Sequence, residues 1–189
     1  MEGSGDQDGM KPLARRNART HMTDFIAVSE KLISDGMTKP EHLGVFGASG
    51  GGLLAAVVAI QRPDLFGAIV SDVPLTDMLR YPKMGMGGAW MNEYGDPKDP
   101  EMAKALRAYS PFHNVREDVK YPPFLVTAST NDDRVGVGHS RKLVAKMKDA
   151  GVLNAFLYED GDGGHHVSDP FNNFEMMSRR IAFLMDLLQ

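Results

Sequence analysis

The 189-residue chain contains no cysteine. That excludes a disulfide framework, a thiolate metal site and a cysteine nucleophile. It also has no apolar run approaching the length of a membrane span, and its first twenty residues lack the apolar core of a signal peptide. A cytoplasmic protein without a membrane partner is the expectation. Charge bias is missing too: 21 Lys and Arg stand against 25 Asp and Glu, interspersed, for a net charge of −4. Nothing there favours a nucleic acid or another polyanion as partner. Tryptophan is nearly absent, a single residue at Trp90, whereas methionine is plentiful at 13 and reads as core filler. At this length the simplest organisation is one domain with a sizeable core.

What is present centres on Leu43-Gly44-Val45-Phe46-Gly47-Ala48-Ser49-Gly50-Gly51-Gly52. A short apolar β-type run ends in a glycine cluster around one serine, and a helical stretch, Gly50 to Gln61, follows. Gly47-x-Ser49-x-Gly51 at a strand-to-helix turn is the spacing of a nucleophile elbow: the backbone is strained and only glycine leaves room for the chain to double back. The turn presents the serine hydroxyl above the strand end. The next amide, Gly50 N–H, lies at a helix N-terminus, where a developing oxyanion is favoured.

In chain order, residues 1–15 read as a flexible polar segment and 16–189 as a single catalytic-type domain. A helix is expected from Arg16 to Asp35, with Met22, Phe25, Ile26, Leu32 and Ile33 at helical spacing and Gly36 as terminator. Strands are expected at Leu43–Phe46, Ala68–Ser71, Phe124–Ala128 and Leu153–Tyr158. A Gly-, Pro- and Met-rich excursion, Pro74 to Pro122, carries one expected helix started by Asp99-Pro100-Glu101. Helices follow at Gly138–Ala150 and Pro170–Leu188, the last with Phe174, Met177, Ile181, Leu184 and Leu188 on one side.

Alternating strands and helices imply an α/β fold: a mostly parallel sheet of about four strands with helices on both faces. Ligands bind such sheets beyond the carboxyl ends of the strands. Ser49 follows the first strand, Asn131-Asp132-Asp133-Arg134 the third, and Gly161-Asp162-Gly163-Gly164-His165-His166 the fourth. A nucleophile, an acid and an imidazole thus meet at one edge in the order Ser…Asp…His, that of the α/β-hydrolase arrangement. Either aspartate and either histidine satisfies that order. A different class fits part of the pattern. Gly50-Gly51-Gly52-Leu53-Leu54-Ala55 matches G-x-G-x-x-A, and Asp72 stands where a dinucleotide site places its ribose-binding acid. A third class is an inactive hydrolase fragment serving as an interaction domain.

Five stretches carry a family resemblance over nearly the whole chain: Gly47-Ala48-Ser49-Gly50-Gly51, Gly88 to Gly95, Tyr109 to Val115, Asn131 to Val135, and Gly163-Gly164-His165. The chain resembles the C-terminal part of the prolyl oligopeptidase (S9) catalytic domain. The resemblance implies a truncated α/β-hydrolase fold and a serine hydrolase acting on short peptides or small acyl esters without a cofactor or metal. It implies Ser49 as nucleophile, His165 as general base and Asp132 as the acid that orients the imidazole, with Gly50 N–H receiving the oxyanion. Arg134 matches the arginine that binds a substrate carbonyl, and Trp90 the indole that stacks on a proline ring. Tyr94 and Val135 match further pocket residues. The family's upstream strands, its β-propeller and its second oxyanion donor (a tyrosine hydroxyl) have no counterpart in this sequence. The strand at Leu43–Phe46 is therefore expected to be an edge, and self-association into a homodimer is expected to cover it.

Overall fold

A computed structural model describes residues 10–161, 163–165 and 170–189. Four strands, β1 (Gly44–Ala48), β2 (Ala68–Asp72), β3 (Phe124–Ser129) and β4 (Ala155–Asp160), form one sheet in the order β1-β2-β3-β4. All three pairings are parallel, with Gly44 opposite Ala68, Ile69 opposite Phe124, and Phe124 opposite Ala155. The two central strands are buried along their whole length, and the edge strands are not. This is why β2 and β3 open on the apolar runs Ala68-Ile69-Val70 and Phe124-Leu125-Val126.

The helices are α1 (Met10–Ser34), α2 (Gly50–Gln61), α3 (Met91–Tyr94), α4 (Pro100–Tyr109), α5 (Pro111–Asn114), α6 (Gly138–Asp149) and α7 (Pro170–Leu187). One face of the sheet supplies Val45, Ile69, Phe124 and Val126 to a core completed by Ala55, Val58 and Ile60 of α2 and Leu143, Val144 and Met147 of α6. On the other face lies α7, with Met176 and Arg180 buried and Phe183 edge-on to Phe156 of β4. Both faces are therefore covered.

Four differences from the sequence reading have physical causes. The first helix is already formed at Met10, ahead of the expected Arg16, because residues 13–19 are mostly good helix formers. Residues 1–9 lie outside the described residues. The fourth strand begins at Ala155, not Leu153. Leu153 is an 81% exposed turn residue, and the register is set by Phe124 N–H donating to Asn154 O at 2.9 Å.

The excursion holds three helices and two 3₁₀ turns, Tyr81–Lys83 and Gly87–Trp90, rather than one helix. Four-residue helices are too short to show a period. Only α4 was legible, from its cap: Asp99 Oδ1 accepts from the N–H groups of Glu101 (2.9 Å) and Met102 (3.3 Å). Finally, the apolar side expected of the last helix meets the sheet only at its end, where Leu184 and Leu188 stand against Gly44 of β1. Phe174, Met177 and Ile181 are 72%, 41% and 48% exposed, while Arg180 is turned inward.

The excursion is pinned to α6 through Asp77, whose side chain is wholly buried. Its carboxylate accepts from Arg80 Nη1 at 3.0 Å and from Lys142. Beside it, His139 Nδ1 accepts the N–H groups of Thr76 (3.0 Å) and Asp77 (3.1 Å). A second cluster, including Leu53, Val57, Tyr81, Leu106, Tyr109 and Val135, is backed by Trp90 and Tyr94. It brings the excursion over the carboxyl ends of the strands.

Candidate active site

At the end of β1, Ser49 has φ 56° and ψ −118°, one of two non-glycine residues with positive φ among the described residues. The geometry is held by Ser49 N–H donating to Asp72 O at 2.8 Å. Two glycines make the turn possible. A Cβ on Gly47 would fall on the Gly51 carbonyl, and one on Gly52 would meet Asp72 O at 2.6 Å. Gly51, the third residue of the motif, has open space around it. Gly50 is the first residue of α2, so its N–H belongs to the helical turn that has no intrahelical acceptor. The Tyr94 hydroxyl overhangs it, 3.6 Å from where a Gly50 Cβ would stand.

The loop after β3 places Asp132 below the sheet edge, and the loop after β4 brings His165 to it. His165 Nδ1–H donates to Asp132 Oδ2 at 3.0 Å and Oδ1 at 3.1 Å, and Ser49 Oγ–H donates to His165 Nε2 at 3.1 Å. The side chains of His165 and Asp132 are 4% and 2% exposed. Asp132 Oδ1 also accepts the N–H groups of Arg134 (3.0 Å) and Val135 (2.9 Å). Burial is the largest single influence on this carboxyl and opposes its ionisation. The His165 hydrogen bond, the Val135 and Arg134 amides and the charge of the imidazole together outweigh it and hold the carboxyl below the usual range.

The two loops are tied to each other. Ser129 Oγ–H donates to Gly163 O, Asn131 Nδ2–H to Gly161 O at 3.1 Å, and Thr130 N–H to Asp160 O at 2.8 Å. These ties were not legible from sequence, because they link residues about thirty positions apart with no local pattern. Between the alternatives, the structure brings Asp132 to the imidazole and leaves Asp133 exposed. His166 lies outside the described residues.

The remaining candidates lie on the excursion (Trp90, Tyr94) and on the loop after β3 (Arg134, Val135). Trp90 is half-buried, with the exposed Arg134 guanidinium 6.0 Å from its ring centre. Arg134 O accepts Met86 N–H at 2.6 Å, which fastens this loop to the excursion. Tyr94 packs edge-on against Tyr81 at 5.7 Å. Burial, aided by Glu93, pushes its phenol up to about 12, so it stays a neutral donor. Val135 is 1% exposed within the second cluster, and its defined polar contact is the amide given to Asp132.

Asp72, the acid of the dinucleotide alternative, is buried. Its Oδ1 accepts from Thr127 Oγ1 and Arg180 Nη2, both at 2.6 Å. It is thereby closed to a ribose. Among the described residues no group of three or more His, Asp or Glu is placed to hold a metal ion, and no helix is long and apolar enough to cross a membrane. A cavity of about 470 Å³ between α1, α2 and α4, lined by Met22, Gln61, Glu101, Lys104 and Tyr109, includes none of the candidate catalytic residues.

Comparison with known proteins gives a consistent result. The profile of the prolyl oligopeptidase family matches residues 6–189. An uncharacterized peptidase of Sinorhizobium fredii is 44% identical over 168 residues, covering 89% of this chain and 23% of its own length. A post-proline cleaving enzyme from Rickettsia typhi superposes with a TM-score of 0.79 at 38% identity, over 91% of this chain and 26% of its own. Prolyl oligopeptidase B from Galerina marginata, solved with a 35mer hydrolysis and macrocyclization substrate, gives a TM-score of 0.82 at 30% identity, over 88% and 24%. The chain thus spans about a quarter of the length of the relatives it matches. With the family profile covering all but its first five residues, and with the α/β-hydrolase domain of those structures reproduced here, the chain belongs to the prolyl oligopeptidase family.

Proposed function

We propose that this chain is a serine hydrolase whose acyl-transfer centre is Ser49, His165 and Asp132. The observation that carries the reading is the unbroken hydrogen-bonded line from Ser49 Oγ through the imidazole to a buried carboxylate. Ser49 Oγ attacks the substrate carbonyl carbon while His165 Nε2 takes its proton. Asp132 fixes the tautomer with the proton on Nδ1 and stabilises the imidazolium that forms. The tetrahedral oxyanion is received by Gly50 N–H at the start of α2. Collapse breaks the bond to the leaving group, which takes the proton from Nε2. Water then repeats the sequence on the acyl-enzyme and releases the acid.

Peptides are the favoured substrate class, in keeping with the peptide-processing relatives, and Trp90 supplies a flat apolar ring for proline. Arg134 binds a substrate carbonyl, with Tyr94 and Val135 in the pocket wall. Gly50 N–H is the assigned oxyanion donor, a role worth roughly 10²–10³ in rate. Activated short-chain esters, which need less oxyanion stabilisation, are a second substrate class. The test is a panel of proline-containing peptides beside short-chain nitrophenyl esters at equal enzyme concentration. Turnover of neither class, with Ser49→Ala indistinguishable from wild type, would leave the inactive interaction domain as the reading.

Self-association belongs to the same proposal. β1 pairs only with β2 among the described residues, and 48% exposed Phe46 lies on it. A two-fold dimer formed at this edge would cover Phe46 and continue the sheet. Light scattering over a dilution series tests it; a monomer at every concentration contradicts it.

A further inference from the structure

One buried ion pair joins every element that carries a member of the Ser49–His165–Asp132 line. Arg180 Nη2 donates to Asp72 Oδ1 at 2.6 Å, and each residue is 7% exposed. Arg180 belongs to α7, the helix entered directly after the loop that bears His165. Its guanidinium also lies 5.8 Å from the ring of Phe46 on β1, three residues before Ser49. Asp72 ends β2, and its main-chain oxygen accepts Ser49 N–H at 2.8 Å. The same Oδ1 accepts the hydroxyl of Thr127 on β3, the strand that leads to Asp132.

Nothing in the general energetics of folding calls for this pair. Replacing a buried ion pair by apolar residues is often neutral or stabilising. This one carries two visible costs: Arg180 Nε–H has no acceptor among the described residues, and Phe174, Met177 and Ile181 of α7 are left in solvent while the arginine is turned inward. Two residues tied to it are also strained. The only non-glycine residues with positive φ among the described residues are Ser49, which Asp72 O holds, and Val73, which follows Asp72 with φ 38°. Such conformations persist only where their surroundings over-determine them.

We infer that the Asp72–Arg180 pair is a positioning device that sets Ser49 against His165 and keeps the charge near the imidazole balanced. This rests on the serine hydrolase reading above. The charged and titratable groups around Asp72 are Arg180 from α7 and His165 and Asp132 from the two loops, with the Thr127 hydroxyl from β3. Burial pushes the Asp72 carboxyl up, and Arg180, Thr127 and the His165 charge pull it back. Removing Arg180 strands a carboxylate within electrostatic reach of the imidazole. Removing the carboxylate strands a guanidinium there instead.

The experiment measures the second-order rate of fluorophosphonate labelling at Ser49 against pH, with Tm in parallel. It compares wild type, Asp72→Asn, Arg180→Met and the double variant Asp72→Asn/Arg180→Met. A misplacement of the order of 1 Å costs about 10²-fold, so the plateau rate is expected to fall about 10- to 100-fold in all three. The acid limb moves to lower pH in Asp72→Asn, because the uncompensated guanidinium disfavours imidazole protonation. It returns to the wild-type position in the double variant. The double variant leaves no lone buried charge, so it remains informative if a single variant does not fold. Wild-type plateau rates and unshifted acid limbs, with only Tm altered, would overturn the inference and leave the hydrolase reading intact. Absence of Ser49 labelling in wild type would overturn both.

Discussion

Replacing Asp132 by asparagine exchanges one carboxylate oxygen for an NH₂ group and leaves the shape alone. In the native site the carboxylate takes His165 Nδ1–H through both oxygens, at 3.0 and 3.1 Å, and the amides of Arg134 and Val135 through Oδ1, at 3.0 and 2.9 Å. The asparagine oxygen can keep the two amides, so the loop retains its local bonds. Its NH₂ then occupies the place of Oδ2 and points a donor at Nδ1. The imidazole satisfies that donor only by moving its own proton to Nε2. Nε2–H now faces Ser49 Oγ across 3.1 Å, and the serine proton has no base. A wrong tautomer in an otherwise intact triad costs about 10⁴ in kcat, which corresponds to about 5 kcal/mol of barrier. The assay is steady-state hydrolysis of a short-chain nitrophenyl ester by wild type and Asp132→Asn, with thermal melts of both. A loss of about four decades is expected, with the variant still folded. A loss below tenfold in a folded variant would refute the role given to Asp132.

Two further outcomes follow from the same geometry. Burial, the largest influence, depresses the His139 imidazole to about 4, with Lys142 acting in the same direction against Asp77. The unfolded chain therefore binds this proton first as pH falls. Stability from this group is complete above about 6.5 and is lost on descending to about 4, by roughly 3 kcal/mol. Urea unfolding of wild type and His139→Gln at several pH values should show a shallower slope for the variant in that window; equal slopes would contradict it. Asp132 and Asp77, held below their usual range, act in the lower window, below about pH 4. If the indole receives a proline ring as proposed, Trp90→Ala should raise KM for prolyl peptides more than for acetyl esters. An equal effect on both would make the indole a wall of the second cluster and not a proline platform.

How much could be read from sequence depended on how local the signal was. The elbow was legible because Gly47, Ser49 and the following helix are contiguous, and the steric need for Gly47 acts within four residues. The strands were legible from apolar runs, and the residues to inspect followed from the rule for strand ends. That rule brought Ser49, the Asp132–Asp133 pair and the His165–His166 pair to one edge but could not choose within the pairs. Backbone geometry distinguishes the aspartates: Asp132 receives two amides of its own loop, whereas Asp133 points to solvent.

Long-range polar contacts were not legible. Asp72 and Arg180 are 108 positions apart. Nothing local marks Arg180 as buried, and only Leu184 and Leu188 of the apolar side expected for α7 reach the sheet, while Phe174, Met177 and Ile181 are exposed. Asp72 alone fitted a nucleotide pattern until Thr127 and Arg180 were seen to occupy its carboxylate. The short helices of the excursion have no period to detect, and Leu153 shows that an apolar residue beside a strand can be a turn.

Active-site labelling tests the central claim most directly. Wild-type protein, Ser49→Ala and His165→Ala are treated with a fluorophosphonate, and the modified residue is located by peptide mass. The account predicts one adduct per chain on Ser49 in wild type, none in Ser49→Ala, and labelling slowed by orders of magnitude in His165→Ala. Wild type that stays unlabelled, or labels as fast without His165, would contradict it.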